Sequence, residues 1–202
     1  MPRASRPPWW LQSREMNRLH GVICSSRWWG RTVERELLPW GLSRLDLGED
    51  VLEIGPGFGA TTKVLAERPG ELTVLELDPG YCERLRRDLP KRVRILQGDA
   101  TAMPFADDRF SAVVCFTMLH HLPSPAAQDL LLGEAARVLR PGGLFAGTDS
   151  IGTSRFFRLL HVGDTLVPVE PDGLPARLHA AGLVEQEIAK TDSSFRFRAR
   201  KP

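Results

Sequence analysis

The stretch Val51-Leu-Glu-Ile-Gly-Pro-Gly-Phe-Gly59 constrains the fold more than any other part of the chain. The apolar run ending at Ile54 reads as a buried strand, the glycines at 55, 57 and 59 open a tight loop, and Ala60 to Arg68 reads as a helix. Glycine at 55 permits a turn that a Cβ would resist, and glycine at 57 lets a ligand come close to the backbone. A glycine-rich strand-to-helix turn alone says only that a nucleotide-like ligand is expected. Two details narrow it. Glu53 places a carboxylate just before the loop, where a pyrophosphate would be repelled, and the spacing is Gly-x-Gly-x-Gly rather than Gly-x-Gly-x-x-Gly. A ligand bearing positive charge at that point fits better than one bearing two phosphates.

Further strands follow at regular intervals. Leu72 to Asp78 is the second, and Glu76 stands about 20 positions after Gly55, where a strand-end acid accepts from two ribose hydroxyls. Residues 93–97 make a third strand that runs into Gly98-Asp99-Ala100, and Phe110 to Phe116 a fourth, followed by Thr117-Met-Leu-His-His-Leu122. Helices are expected over residues 80–88 and 126–139. A Pro-Gly-Gly turn at 141–143 leads to a fifth strand over 143–149. Alternation of short apolar strands with helices means a mostly parallel sheet covered on both faces. Right-handed crossovers then put the ligand site at the carboxyl ends of the strands, where the winding reverses. A short helix over Ser154–His161, a helix over Pro171–Gly182 capped by its glycine, and strands Val184–Lys190 and Ser194–Arg200 complete the chain.

Ahead of the first strand, residues 1 to 12 are rich in Pro and Arg and are expected to be irregular and mobile. Met16, Leu19 and Ile23 then share one helical face. Ser25 or Ser26 can cap a second helix through Leu38, with Pro39 and Gly41 ending it. Trp28 and Trp29 are adjacent and cannot share a helical face; the two readings are that one packs on the sheet while the other lines the site, and that both pack into the core.

At 202 residues and 42% hydrophobic content, the chain suits one globular domain without internal repeats. A net charge of +2 does not call for a nucleic-acid partner. Arg3, Arg6, Arg14 and the basic run Arg196, Arg198, Arg200, Lys201 read as solvated ends or one face of an edge strand. Cys24, Cys82 and Cys115 are widely separated, with no CxxC or Cys/His pairing, so neither a disulfide framework nor a metal site is expected. No apolar run approaches the ~20 residues that span a bilayer, and the first residues lack a signal core. The expectation is a soluble cytoplasmic protein with no membrane partner.

With these motifs in order over roughly residues 45 to 150, the chain resembles the class I S-adenosylmethionine (SAM)-dependent methyltransferases, in particular the small type 11 group. The resemblance implies a Rossmann-like α/β fold with a seven-stranded, mostly parallel sheet, helices on both faces and the last strand antiparallel. It implies SAM as cofactor and S-adenosylhomocysteine as product. Glu53 and the loop Gly55, Pro56, Gly57 and Gly59 would face the methionine end, and Glu76 the ribose. Asp99 and the Ala100 amide would meet the adenine, sandwiched by Leu77 and Phe116. Residues 1–44 would form a helical lid over a methyltransferase domain of residues 45–202. His20, Trp28, Trp29, His161 and Asp164 are candidates for the acceptor pocket.

His121, and next to it His120, stand where the acceptor should enter, and an imidazole with a pKa near ~6.5 suits proton removal at neutral pH. Because the cofactor is already activated, alignment is expected to dominate and a base to be optional. A short chain of this kind suggests a compact, partly apolar acceptor, of aromatic or heterocyclic type. Two alternatives stand beside it. One is an RNA methyltransferase related to the ribosomal-RNA adenine dimethylases, which share the Leu-Glu-Ile-Gly-Pro-Gly-Phe-Gly loop. Those enzymes carry Asn-Leu/Ile-Pro-Tyr/Phe where this chain has Cys115-Phe-Thr-Met118, so a nucleic-acid substrate is not expected. The other is a SAM-binding module without turnover.

Overall fold

The computed structural model describes residues 17–202 apart from 69, 153–156, 158 and 160, and of residues 18–20 the backbone alone. Seven strands form one sheet: β1 Asp50–Ile54, β2 Glu71–Glu76, β3 Arg94–Gln97, β4 Phe110–Phe116, β5 Leu139–Ser150, β6 Val184–Lys190 and β7 Ser194–Arg200. Their order is β3-β2-β1-β4-β5-β7-β6, with β7 antiparallel to both neighbours and β1 to β5 paired in parallel. The expected fold class is therefore the observed one. The winding reverses between β1 and β4, which opens a crevice at their carboxyl ends.

The strands sort their side chains by the period of two that a pleated backbone imposes. Leu52, Ile54, Val113, Cys115 and Phe145 enter one core, with helices α6 (Pro125–Val138) and α7 (Leu174–Ala180) over it. Val51, Val74, Val114, Phe116 and Ala146 enter the other core, covered by α4 (Ala60–Leu65), α5 (Pro79–Asp88) and the N-terminal helices. Burial on both faces explains why β1, β2 and β4 read as continuous apolar runs. Gly147 in β5 pairs with Cys115 of β4 on one side and Phe197 of β7 on the other. A Cβ there would run into the Cys115 carbonyl and stand 2.9 Å from the Phe197 ring, so no larger residue fits between the three strands.

Several boundaries differ from the sequence reading. Helix α4 stops at Leu65, because Glu67 and Arg68 donate to carbonyls three residues back, a tightened last turn ahead of Pro69. β5 begins at Leu139, which pairs with Phe110 before a bulge carries the chain through Gly142. Helix α7 starts at Leu174 rather than Pro171. It ends with Gly182 N–H on His179 and Leu183 N–H on Leu178, the double bond of a glycine-capped terminus. The arginines of β7 lie one strand inside the edge, where Arg196 and Arg198 pair with Glu187 and Arg200 with Glu185 of β6.

Before β1 come α1 (Arg18–Cys24), α2 (Arg27–Thr32) and α3 (Leu38–Gly41). Ser26 caps α2, accepting from Trp29 N–H at 3.1 Å. Pro39 does not end the helical run. A π-helical turn over Val33–Leu37 absorbs it, with Leu38 N–H reaching the Val33 carbonyl. Proline lacks the N–H of the regular ladder and clashes with the carbonyl four residues back, and the wider turn relieves both. Val33 and Leu38 are buried in the second core, and Arg196 of β7 donates to the Trp40 carbonyl at 2.7 Å. No helix among the described residues is long and apolar enough to cross a membrane.

Candidate active site

The glycine loop lies at the carboxyl end of β1, fixed by Gly55 N–H on the Leu75 carbonyl at 2.9 Å. Gly55 and Gly57 both adopt positive φ, +61° and +55°. A Cβ at 55 would collide with Met118, whereas at 57 nothing lies within 4 Å. Position 57 thus has open space where a side chain would project, and 55 is the packed one.

Two acids flank this opening. Glu53 is 1% exposed; its Oε1 accepts from the Thr61 hydroxyl, and its Oε2 has no hydrogen-bond partner among the described residues. Burial pushes its carboxyl up to about 7, against the hydrogen bond from the Thr61 hydroxyl, which pulls the other way. A buried carboxylate oxygen with no donor is costly, and a cationic ligand group at the loop would satisfy it. The residues therefore fit the ammonium and sulfonium charges of SAM. Glu76, 7% exposed, accepts from Gly57 N–H at 3.1 Å and Asp78 N–H at 3.0 Å. Burial raises its pKa and those backbone bonds lower it. They pin the carboxylate while leaving it acceptor capacity for a diol.

Asp99 uses its Oδ1 to hold Thr101, accepting from both the backbone N–H and the hydroxyl at 2.8 Å. Ala100 packs on the first core, and Leu77 is half-buried with its carbonyl accepting from Gln97. Phe116 ends β4 and Leu77 directly follows β2, strands one apart in the sheet. Phe116 is buried in the second core close to Gly41 of α3, and β1 lies between its strand and β2.

Beyond β4 and β5 a cavity of about 460 Å³ opens, in the range of small-molecule sites. Trp29, Leu37, Trp40 and Phe157 give it apolar walls; Thr117, Thr148, Asp149 and Ser150 give it a polar floor. Trp29 is the inward member of the tryptophan pair, and Trp28 is 66% exposed and off the wall. His120, His121, His161 and Asp164 are not on the wall either. The side chain of His20 lies outside the described residues, as do most of the residues expected to form a helix at 154–161. Of these, Phe157 and Leu159 are helical, and His161 N–H bonds the Phe157 carbonyl. Asp164 accepts from Asn17 N–H at 2.6 Å, tying the segment after β5 to the start of α1.

The histidines form a layer behind the wall. His120 is 2% exposed, its Nδ1 bonded to Oδ1 of Asp149 and its backbone N–H to Oδ2 at 3.2 Å. His121 sets its Nδ1 3.3 Å from the Thr165 carbonyl. Asp149, fully buried at the end of β5, is the acid that the sequence reading missed. Its signal was available: it stands at the carboxyl end of a strand, as Glu76 does, and Asp99 follows two residues after another.

A sheet of this order, with acids ending β1 and β2 and a cavity past β4 and β5, is the class I methyltransferase architecture. Residues 52–147 match the family model described as "Methyltransferase domain", and this domain belongs to the SAM-dependent methyltransferases of the type 11 group. Over 108 residues the chain is 40% identical to a fatty-acid O-methyltransferase of Mycolicibacterium smegmatis, covering 51% of this chain and 38% of that protein. It is 30% identical over 136 residues to the ubiquinone/menaquinone biosynthesis C-methyltransferase of Legionella pneumophila, covering 63% and 50%. The chain thus spans half or less of these relatives. The fold is shared with phosphoethanolamine N-methyltransferase 2 of Haemonchus contortus, solved with SAM, at a TM-score of 0.68 and 16% identity over 86% of this chain and 53% of that one.

Proposed function

We propose that this protein transfers a methyl group from SAM to a small, partly apolar acceptor held in the 460 Å³ cavity. The observation that carries the reading is a glycine loop with a buried, donorless Glu53 oxygen, packed at Gly55 against Met118, whose neighbour Thr117 lines that cavity. Glu53, the Gly57 backbone, Glu76 and the Asp99–Ala100 turn would hold the cofactor. SAM, when bound, supplies a methyl group on positively charged sulfur, already activated for in-line transfer. The chain's own task is alignment: Trp29, Trp40 and Phe157 grip an apolar body, and Thr117 and Thr148 orient its polar end. The imidazoles lie behind this wall, so a base contribution from His121 or His120 is expected to be small. The N-terminal helices would act as the lid, since α2 brings Trp29 and α3 brings Trp40 to the cavity.

A fatty-acid and a quinone-pathway enzyme among the relatives support an apolar acceptor. The test is mass spectrometry of S-adenosylhomocysteine and methylated product from a panel of fatty acids, quinols and phenols. Turnover on one compound, abolished by Thr148→Trp with SAM affinity kept, would support the reading. SAM binding without turnover on any acceptor would favour a binding module, and turnover on RNA alone would favour the dimethylase alternative.

A further inference from the structure

Behind the cavity wall, three histidines from two separate segments meet. Ring centroids are 4.2 Å apart for His120 and His121, 5.1 Å for His120 and His161, and 5.4 Å for His121 and His161. One ring nitrogen of each lies within 4.8 Å of those of the other two. We propose that His120, His121 and His161 form a binding site for a divalent first-row transition metal, zinc being the first choice.

The hydrogen bonds of the three rings are what make this a site. In each, Nδ1 faces an oxygen that can only accept: Asp149 Oδ1 for His120, the Thr165 carbonyl at 3.3 Å for His121, and the Phe157 carbonyl at 2.7 Å for His161. Nδ1 must then carry the proton, and in a neutral imidazole the lone pair sits on Nε2. Three rings with the same fixed tautomer thus present the same kind of ligand atom. This is the outer-shell pattern of metal-bound histidine, with a carboxylate or carbonyl holding the far nitrogen. His120 and His161 are 2% and 4% exposed, and fully buried Asp149 beside them would be offset by a cation. Tetrahedral zinc with Zn–N of about 2.0–2.1 Å needs nitrogens about 3.3 Å apart, so the three rings, with one nitrogen each inside a 4.8 Å spread, would have to draw together around the ion. All-imidazole ligation suits zinc, copper, nickel or iron rather than magnesium or calcium. No histidine of the three lies on the cavity wall, while Asp149 and Phe157, which hold two of them, do.

The test uses the full chain without a polyhistidine tag, stripped with a chelator and titrated with zinc chloride alone against a chromophoric competitor. One equivalent bound with a dissociation constant of about 1 µM or tighter, and a raised Tm, is the expected result. His161→Ala should weaken binding at least tenfold, and His179→Ala, on the exposed face of α7, should leave it unchanged. Asp149→Asn, a positioning change, should weaken it about 10–100-fold. Because a buried histidine variant can lose its fold, half-buried His121→Asn serves as a second probe, with circular dichroism as the control. Cobalt(II) loaded into the wild-type chain should show a tetrahedral visible spectrum without a thiolate band, lost in both variants. Absence of stoichiometric zinc binding by the wild-type chain would overturn the proposal. So would unchanged affinity in folded His161→Ala and His121→Asn, or a thiolate band showing that cysteine holds the metal.

Discussion

The two sides of the crevice are built differently. On the β1–β3 side, the groups proposed to face the cofactor come from the ends of adjoining parallel strands and from one loop, joined by Gly55 N–H on Leu75 and Gly57 N–H on Glu76. On the β4–β5 side, the cavity draws Trp29 and Trp40 from before the first strand, Phe157 from the segment after β5, and Ser193 from the β6–β7 turn. One side is a local motif, and the other is an assembly of remote pieces. A local motif can be read off a sequence and should change one binding constant when broken; an assembly should respond to changes that are spread along the chain.

The largest effect should separate the two sides outright. Glu76→Ala removes a carboxylate whose bonds to a diol are worth ~1.5–3 kcal/mol, so SAM affinity should fall roughly 10- to 100-fold by calorimetry. The acceptor KM at saturating SAM should stay within about twofold. An equal rise in both would mean the halves are not separate.

Next comes pH. With its carboxyl at about 7, Glu53 holds its proton more tightly in the folded chain than unfolded, so the ligand-free protein loses stability as pH rises through that value. A cationic ligand favours the ionised form. SAM binding should therefore release a proton below pH 7, and affinity should rise about eightfold between pH 6 and 7.5. Glu53→Gln should bind more weakly and with a flat profile. A wild-type affinity independent of pH would place the positive charge of the cofactor elsewhere.

On the assembled side, Trp29→Ala should raise acceptor KM about fivefold with SAM affinity unchanged, because it trims one wall of several. Trp28→Ala, at an exposed position, should change neither constant. If Trp28→Ala had the larger effect, the docking of α2 would be rotated in the working enzyme. The smallest effect concerns motion. Amides of residues 17–44 should exchange faster than those of β1 and β4, and slow when S-adenosylhomocysteine is added. Equal rates with and without it would make these helices a fixed cover rather than a lid.

The sheet, its order of elements and the glycine loop with Glu53 and Glu76 were legible because period and spacing are local properties. Asp99 was legible as a strand-end acid, although part of its hydrogen bonding goes to Thr101. What could not be read was contact between remote segments. Nothing near Phe116 says that α3 will cover it, since Gly41 comes from a segment far upstream. Helical spacing separated Trp28 from Trp29, but which one turns inward depends on how α2 docks. Pro39 read as a stop because the π-turn that absorbs it leaves no residue pattern of its own. His161 joins the His120–His121 pair only because the chain folds back after β5.

Under the proposed function, Gly147 would bear on acceptor choice without meeting the acceptor. It touches nothing in the cavity, yet it sets how closely β4 and β5 approach, and Asp149 projects from the same face of β5 two residues on. The spacing of Thr117 and Thr148, and with it the bore of the acceptor site, is in effect gauged by a hydrogen atom in the sheet's interior. Selectivity by size could then be retuned from inside the scaffold, at a position where no acceptor ever arrives.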